Sequence, residues 1–237
     1  MVYLGIMGPQ DTVDQLLDVM EDLVFRRWHN DIHLTLLGFG DCLEDLRQDA
    51  SRRGLDEYVT FTGRVGPAEI ADYLSAADIG LGPDLRTPLN DVSTMNKTLE
   101  YMAYCLPAVA YDLAEVRQLV GDAAVLVPSG DTRQFADEVE LLLADPDRRV
   151  RMGMMARDRV TRMWDWRPQS VEYVDVFDRL SDYALGIPGG AKELARSSMP
   201  MSEDHVPGRT YIDLEDPAEL AHYLRDRGTV RPGRATA

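Results

Sequence analysis

Three observations in the 237-residue sequence predict an α/β fold, a doubly wound parallel sheet. Short apolar runs alternate with longer segments of helical period from residue 2 to about residue 183. The first apolar run ends in a glycine-bearing turn that leads straight into a helical pattern. Glycine and proline then concentrate beyond the regular part, with 11 of the 31 in residues 186–237.

The elements follow in order. The expected strands are Val2–Gly8, His33–Gly38, Tyr58–Gly63, Ile79–Pro83, Pro107–Asp112 and Ala124–Pro128. Helices fill the gaps. Val13, Leu16, Leu17, Met20, Leu23 and Val24 form an apolar stripe after the first strand, and Leu43, Leu46 and Ala50 do so after the second. Glu69–Ala77, Thr94–Cys105 and Phe135–Leu143 continue the alternation. After Asp145-Pro146-Asp147 an Arg-rich and Met-rich helix reaches about Met163, and a last helix covers Pro168–Tyr183. Such order specifies a Rossmann-like sheet, which binds ligands at the carboxyl ends of its strands. The domain is residues 1–185. Residues 186–237 read as an irregular tail with one short helix, Asp216–Arg227, stopped by Gly228.

Charge narrows the function. Lys and Arg number 25 against 41 Asp and Glu, a formal charge of -16 and a pI near 4.6, which disfavours nucleic acid and anionic membrane as partners. No apolar stretch is long enough for a transmembrane segment, and the N-terminus lacks a secretion signal, so the expected location is cytoplasmic. Cys42 and Cys105 stand without CxxC or Cys/His spacing, and His29, His33, His205 and His222 have no ligand partners at metal spacing, so no metal and no resident cofactor are expected.

Two segments carry candidate chemistry. Gly5-Ile6-Met7-Gly8 closes the first strand, where glycines let backbone N–H groups approach a phosphate, although neither GxGxxG nor a P-loop is present. A tight strand-to-helix connection is the plainer reading of that turn. Ser93-Thr94-Met95-Asn96-Lys97-Thr98-Leu99-Glu100 enters a helix with Ser93 or Thr94 as its cap and Lys97 in its first turn. Helix dipole and ammonium together suit a diphosphate, and Glu100, on the same face, suits a ribose diol. An i, i+3 ion pair between Lys97 and Glu100 on a solvated face is the alternative.

Further candidates are structural. Ser129-Gly130-Asp131 reads as a turn with a helix cap, Trp164 and Trp166 as pins between the closing helices and the core, Met152, Met154, Met155 and Met163 as adaptable packing, and Cys105 as a buried thiol.

Lys97–Ala103 followed by Leu106-Pro107-Ala108-Val109-Ala110-Tyr111-Asp112 closely resembles the donor-site helix and next strand of family-4-like retaining glycosyltransferases of the GT-B fold, the glycosyl transferases group 1. Leu36–Gly40, Val59–Val65, Tyr73–Ile79, Gly121–Pro128 and Leu142–Pro146 resemble that family's other landmarks, in order, and the resemblance spans Val2 to about Leu180. It implies one half of a GT-B enzyme, the nucleotide-sugar-binding C-terminal domain. It also implies that Glu100 is the second glutamate of the Glu-x7-Glu motif and binds ribose. Ser93, Thr94, Met95 and Asn96 would face diphosphate and sugar, Arg64 and Val65 the nucleobase, and Gly5 and Gly8 the diphosphate. Lys97 would be the catalytic cation for the leaving diphosphate of a UDP or GDP sugar.

Three departures qualify this. Val92 stands where the first glutamate of the motif belongs, with Asp91 beside it, and Ile6 and Asp11 occupy the loop where many members carry Arg and Lys. No segment precedes the first strand, so an acceptor domain is expected as a separate N-terminal partner. The chain then reads as a fragment, a split-enzyme half or a noncatalytic module, the fragment being preferred, and the exposed apolar face of the last helix predicts self-association. A noncatalytic sugar-nucleotide-binding or partner-docking module is the rival function. A generic α/β receiver or dinucleotide module is a third reading. On a chain of charge -16 a diphosphate site needs a positive island, for which Arg64, Arg86 and Lys97 are the candidates.

Overall fold

The structure, a computed structural model, describes residues 1–185. The expected tail helix Asp216–Arg227, and His205 and His222, lie outside the described residues. Six strands form one parallel sheet: β1 (Val2–Leu4), β2 (Leu34–Leu37), β3 (Val59–Gly63), β4 (Gly80–Gly82), β5 (Ala108–Tyr111) and β6 (Val125–Val127). Their spatial order is β3-β2-β1-β4-β5-β6, the Rossmann order, in which β1 and β4 leave in opposite directions and open a crevice between them. Helices cover both faces, and so the strands are apolar almost throughout. All four residues of β5 are buried, as are Leu34, Leu36 and Leu37 of β2.

The connecting helices are α1 (Asp14–Glu21), prolonged by a π-helical turn over Asp22–Arg26, α2 (Leu43–Arg52), α3 (Pro67–Ala76), α4 (Asn96–Ala103), α5 (Ala114–Val120), α6 (Thr132–Ala144), α7 (Pro146–Trp164) and α8 (Trp166–Leu185). The α1 stripe of Leu16, Leu17, Val19 and Met20 is fully buried and packs against α6 through Phe135, Ala136 and Val139. Asp131 and Asp145 cap α6 and α7 by accepting from the backbone N–H of Gln134 and Arg148, at 2.9 and 2.8 Å. This makes Ser129-Gly130-Asp131 the expected turn and cap. The chain divides at Tyr173/Val174, within α8, and the sheet with its crevice belongs to the first unit.

Several expectations need correction. The first strand stops at Leu4 rather than Gly8, because the Tyr3 hydroxyl donates to the Ile6 carbonyl at 2.6 Å and folds the chain back on itself. Helix α5 was not foreseen, since seven residues with Glu115, Arg117 and Gln118 among them show too little of a helical period. Ser93 and Thr94 do not cap α4. The N-cap is Met95, and the Ser93 and Thr94 hydroxyls donate to the Leu89 carbonyl and to Glu115, at 2.7 and 3.1 Å.

Trp164 and Trp166 do not pin helices to the core: they are 41% and 63% exposed, with the Trp166 ring 5.7 Å from that of Tyr173. The physical reason is the stripe with which α7 meets α4. Gly153, Ala156 and Val160 form it, and a Cβ on Gly153 would lie 2.0 Å from the Cys105 carbonyl oxygen, so the helices touch through small residues. Met154, Met155 and Met163 lie off that stripe and are exposed, leaving only Met152 packed against the core. Cys105 is only partly buried. It takes φ +53° just past α4, the left-handed position where glycine is favoured.

Candidate functional site

A cleft of about 440 Å³ opens where β1, β2 and β3 end and α4 begins. Its floor is set by backbone contact between two loops. Gly38, at φ +143°, passes so close to Gly5 that a Cβ would lie 1.8 Å from the Gly5 carbonyl oxygen. The Gly5 N–H donates to the Leu37 carbonyl at 3.0 Å and the Met7 N–H to the Phe39 carbonyl at 2.9 Å, so the loop after β1 is tied to the loop after β2. Asn90, 5% exposed, donates through Nδ2 to the carbonyls of Gln10 and Leu85, at 3.1 and 2.9 Å, and holds the β4–α4 connection against the first loop.

Helix α4 delivers the charged residues. Its start is fixed by Tyr101, whose hydroxyl accepts from the Leu4 N–H at 2.9 Å and donates to the Leu81 carbonyl at 3.2 Å, and whose ring fills the space a side chain on Gly80 would need. Burial holds the Tyr3 and Tyr101 hydroxyls far above the usual phenol range, so both remain neutral donors. The N-terminus of α4 faces the cleft with Thr94, Met95, Asn96, Lys97 and Glu100 on its wall. Desolvation raises the Glu100 carboxyl above the ordinary carboxylate range, with the side chain open to the cleft.

Of the ten expected site residues, eight meet around this cleft: Gly5, Arg64 and Val65 join Thr94 and Met95, just before α4, and Asn96, Lys97 and Glu100 within it. Gly8 and Ser93 do not line it. The Gly8 N–H is bound to Asp11 Oδ2 at 3.0 Å, and the Gly5 N–H to Leu37, so neither amide is free to meet a phosphate as the glycine turn suggested.

The positive island also differs from expectation. Arg86 points elsewhere, donating to the Asp112 carbonyl and pairing with Asp91 at 3.3 Å. Asp91 in turn caps α5 by accepting from the Ala114 N–H at 2.7 Å, so it does not stand in for the missing glutamate at Val92. Lys97 forms no pair with Glu100. Its Nζ lies 2.6 Å from Asp84 Oδ1, and both side chains are nearly inaccessible, at 8% and 6%. The ammonium also sits 5.2 Å from the centre of the Tyr3 ring. Asp11 lines the same cleft and its carboxyl is held above the usual range, first by desolvation and also by Asp84, against the pull of the Gly8 N–H and Lys97. Two cations, Arg64 and Lys97, therefore share the cleft wall with two carboxylates, Asp11 and Glu100, and the buried Asp84 lies behind Lys97.

Asp84, Phe39 and Tyr3 were missed from the sequence. A lysine one position inside a helix that must pack on a sheet needs a buried counter-ion, and that signal pointed to an acid at a strand end. Asp84, two residues past β4, is that acid. Phe39 is 39% exposed, and the Arg64 guanidinium carbon lies 3.9 Å above its ring centre. His29 and His33 have ordinary partners, Glu140 at 2.7 Å and the Thr60 hydroxyl at 2.9 Å.

A larger cavity of about 710 Å³ lies between α1, its π-helical turn and α6. Its wall is an ion-pair network in which Arg27 meets Asp22, Asp137 and Glu140 at 2.6 to 2.9 Å, which joins the helices and leaves the cavity acidic. The crevice at the strand ends is the better-built site.

Comparison with known proteins agrees with the architecture. The family of glycosyl transferases group 1 matches residues 1–145. A GDP-mannose-dependent alpha-(1-6)-phosphatidylinositol monomannoside mannosyltransferase of Mycobacterium tuberculosis is 30% identical over 178 residues, 73% of this chain and 46% of that protein. The chain thus spans about half the length of this curated relative. The solved C-terminal domain of a glycosyl transferase group 1 family protein, LpcC of Francisella tularensis, superposes with a TM-score of 0.60 at 18% identity, over 69% of this chain and 85% of that one. Anabaena HepE in complex with UDP gives 0.65 at 17% identity, over 75% and 48%. These likenesses establish the fold, the C-terminal half of GT-B. No helix among the described residues is long and apolar enough to cross a membrane.

Proposed function

Because this chain belongs to the glycosyl transferases group 1 family, we propose that it is the donor-binding half of a retaining glycosyltransferase that uses a nucleotide-diphosphate sugar without a metal. The observation that carries this reading is the cleft itself. One helix N-terminus, one carboxylate a turn further along and an aromatic-lined end of the cleft converge at the strand ends.

In this account the first N–H groups of α4 and the Lys97 ammonium stabilise the departing diphosphate as the bond from the anomeric carbon to phosphate breaks. Glu100 accepts hydrogen bonds from the ribose diol and fixes the donor in register. The acceptor would be held by a separate N-terminal domain. The GDP-mannose dependence of the mycobacterial relative makes GDP-mannose one donor to try, and the UDP bound in HepE makes a UDP sugar the other.

One observation favours the rival reading, a noncatalytic sugar-nucleotide-binding or partner-docking module. Lys97 is neutralised by Asp84, and the two cations on the cleft wall are matched there by two carboxylates, Asp11 and Glu100. Sugar transfer measured with and without a supplied N-terminal domain separates the two. Binding is tested by calorimetric titration with UDP, GDP and UMP. We expect diphosphates to bind more tightly than UMP and Glu100→Ala to weaken them about tenfold or more. A folded chain that binds none of the three overturns the donor-site reading.

A further inference from the structure

Asp11 lines the cleft, and the proposed donor site gives it no task. The chain around it is held at three points. The Gln10 carbonyl accepts from Asn90 Nδ2 at 3.1 Å, the Thr12 hydroxyl donates to the Pro83 carbonyl at 2.8 Å and accepts from the Leu85 N–H at 3.2 Å, and Asp11 Oδ2 accepts from the Gly8 N–H at 3.0 Å. Asp11 is thereby fixed against the β4–α4 connection, which leads into the α4 N-terminus proposed to hold the diphosphate. Among the described residues its other oxygen, Oδ1, has neither an ion pair nor a hydrogen bond.

The charges near Asp11 come from each element packed around it. Lys97 on α4 attracts the carboxylate, yet that ammonium already lies 2.6 Å from Asp84 Oδ1, and Asp84, past β4, repels Asp11. Asp14 starts α1, Glu100 stands a turn further along α4, and Arg64, past β3, lies over the Phe39 ring. Tyr3 on β1 and the Cys42 thiol before α2 are held above their ordinary ranges, first by desolvation and then by carboxylates that include Asp11, so both remain neutral. Lys97 is thus shared between two carboxylates. A diphosphate at the α4 N-terminus adds negative charge and excludes water, and where like charges share one site a carboxyl takes up a proton.

We propose that the nucleotide-diphosphate sugar binds together with one proton, and that Asp11 carries this proton on Oδ1 and donates it as a hydrogen bond to a phosphate oxygen. The proposal rests on the donor-site reading and adds to it a binding residue and a pH dependence. The proton comes from solvent and returns there when the nucleotide leaves, so the step balances without a further reactant. A neutral carboxylic acid supplies an O–H donor where the cleft's lysine is already paired, while Oδ2 keeps the Gly8 N–H and the loop its shape. The sign follows: affinity falls as pH rises, because an ever rarer protonated form has to be drawn on. Glu100 acts in the opposite sense at acid pH, where protonation removes its acceptor for the ribose diol.

The test is calorimetry of the 237-residue chain with UDP-glucose and GDP-mannose. Their doubly esterified phosphates, unlike that of UDP itself, do not titrate near neutral pH. Titrations run from about pH 6 to 8 in two buffers of different ionisation enthalpy, which counts the protons exchanged. Binding of whichever donor the chain accepts should weaken by about fivefold or more per pH unit and take up close to one proton. Asp11→Asn keeps an acceptor for the Gly8 N–H and carries no charge, so it should bind about tenfold or more tighter at the upper pH and take up no proton. The proton count on the parent chain tests the proposal even if that variant fails to fold. Affinity that is independent of pH or rises with it overturns the proposal and leaves the donor site standing. Proton uptake that persists in Asp11→Asn also overturns it, since another group would then carry the proton. Absence of binding by both donors at every pH removes the donor site and the proposal together, which is a different result from binding without proton uptake.

Discussion

Asp84 and Lys97 form a buried ion pair beside the cleft, and the proposed chemistry rests on that pair. The pair is buried at 2.6 Å, so removing one partner strands the other in a poorly solvated place. Lys97→Met should lower the unfolding free energy by about 3–5 kcal/mol, whereas Lys97→Met/Asp84→Leu should recover most of that loss. Chemical denaturation measures both, and a cost below about 1 kcal/mol for the single variant would mean the pair is not buried as described. The double variant is also the proper test of the ammonium, because it has no stranded charge to confuse with lost binding. It should weaken GDP and UDP more than the nucleosides. The need for a buried counter-ion could be read from the sequence but its identity could not, since the two residues are 13 positions apart and Lys97 looked like a partner for Glu100 three residues on. The contact forms only when β4 and α4 lie side by side.

Among the elements, the two loops at the ends of β1 and β2 define the cleft floor through glycine rather than through side chains. Gly38 combines a left-handed φ of +143° with a missing Cβ that would strike the Gly5 carbonyl, so Gly38→Ala must move one loop or the other. We expect a loss of about 2–4 kcal/mol in stability and weakened nucleotide binding, read by denaturation and calorimetry. A variant as stable as the parent would show that the loops are not in contact. The strands themselves were legible, because a sheet covered on both faces demands short, mostly apolar runs, and all six are found within a few residues of their expected ends. Loops were less so. The amides of Gly5 and Gly8 are engaged by Leu37 and Asp11, and hydrogen-bond partners across loops leave no periodic trace in a sequence. Helix α5 escaped for a related reason: at seven residues it completes barely two turns.

For the whole molecule, the proposed donor site is one that a strongly acidic chain would keep by geometry more than by charge. The dipole of α4 and a paired lysine stand where a cluster of free cations was expected, and the remaining free cation, Arg64, sits at the other end of the cleft on the ring of Phe39. The sequence order of family landmarks identified the half of GT-B to which the chain corresponds, and the six-stranded sheet in Rossmann order agrees with it. What the sequence did not reveal was the charge pattern inside the cleft, since it depends on which acids the fold turns inward. The most direct measurement is an amide chemical-shift map of the isotope-labelled chain titrated with GDP and UDP. The shifts should cluster at Gly5, Gly38–Phe39, Arg64–Val65 and Thr94–Glu100. Shifts centred instead on the acidic cavity of Asp22, Arg27 and Glu140, or none from a folded chain, would contradict the proposed donor site.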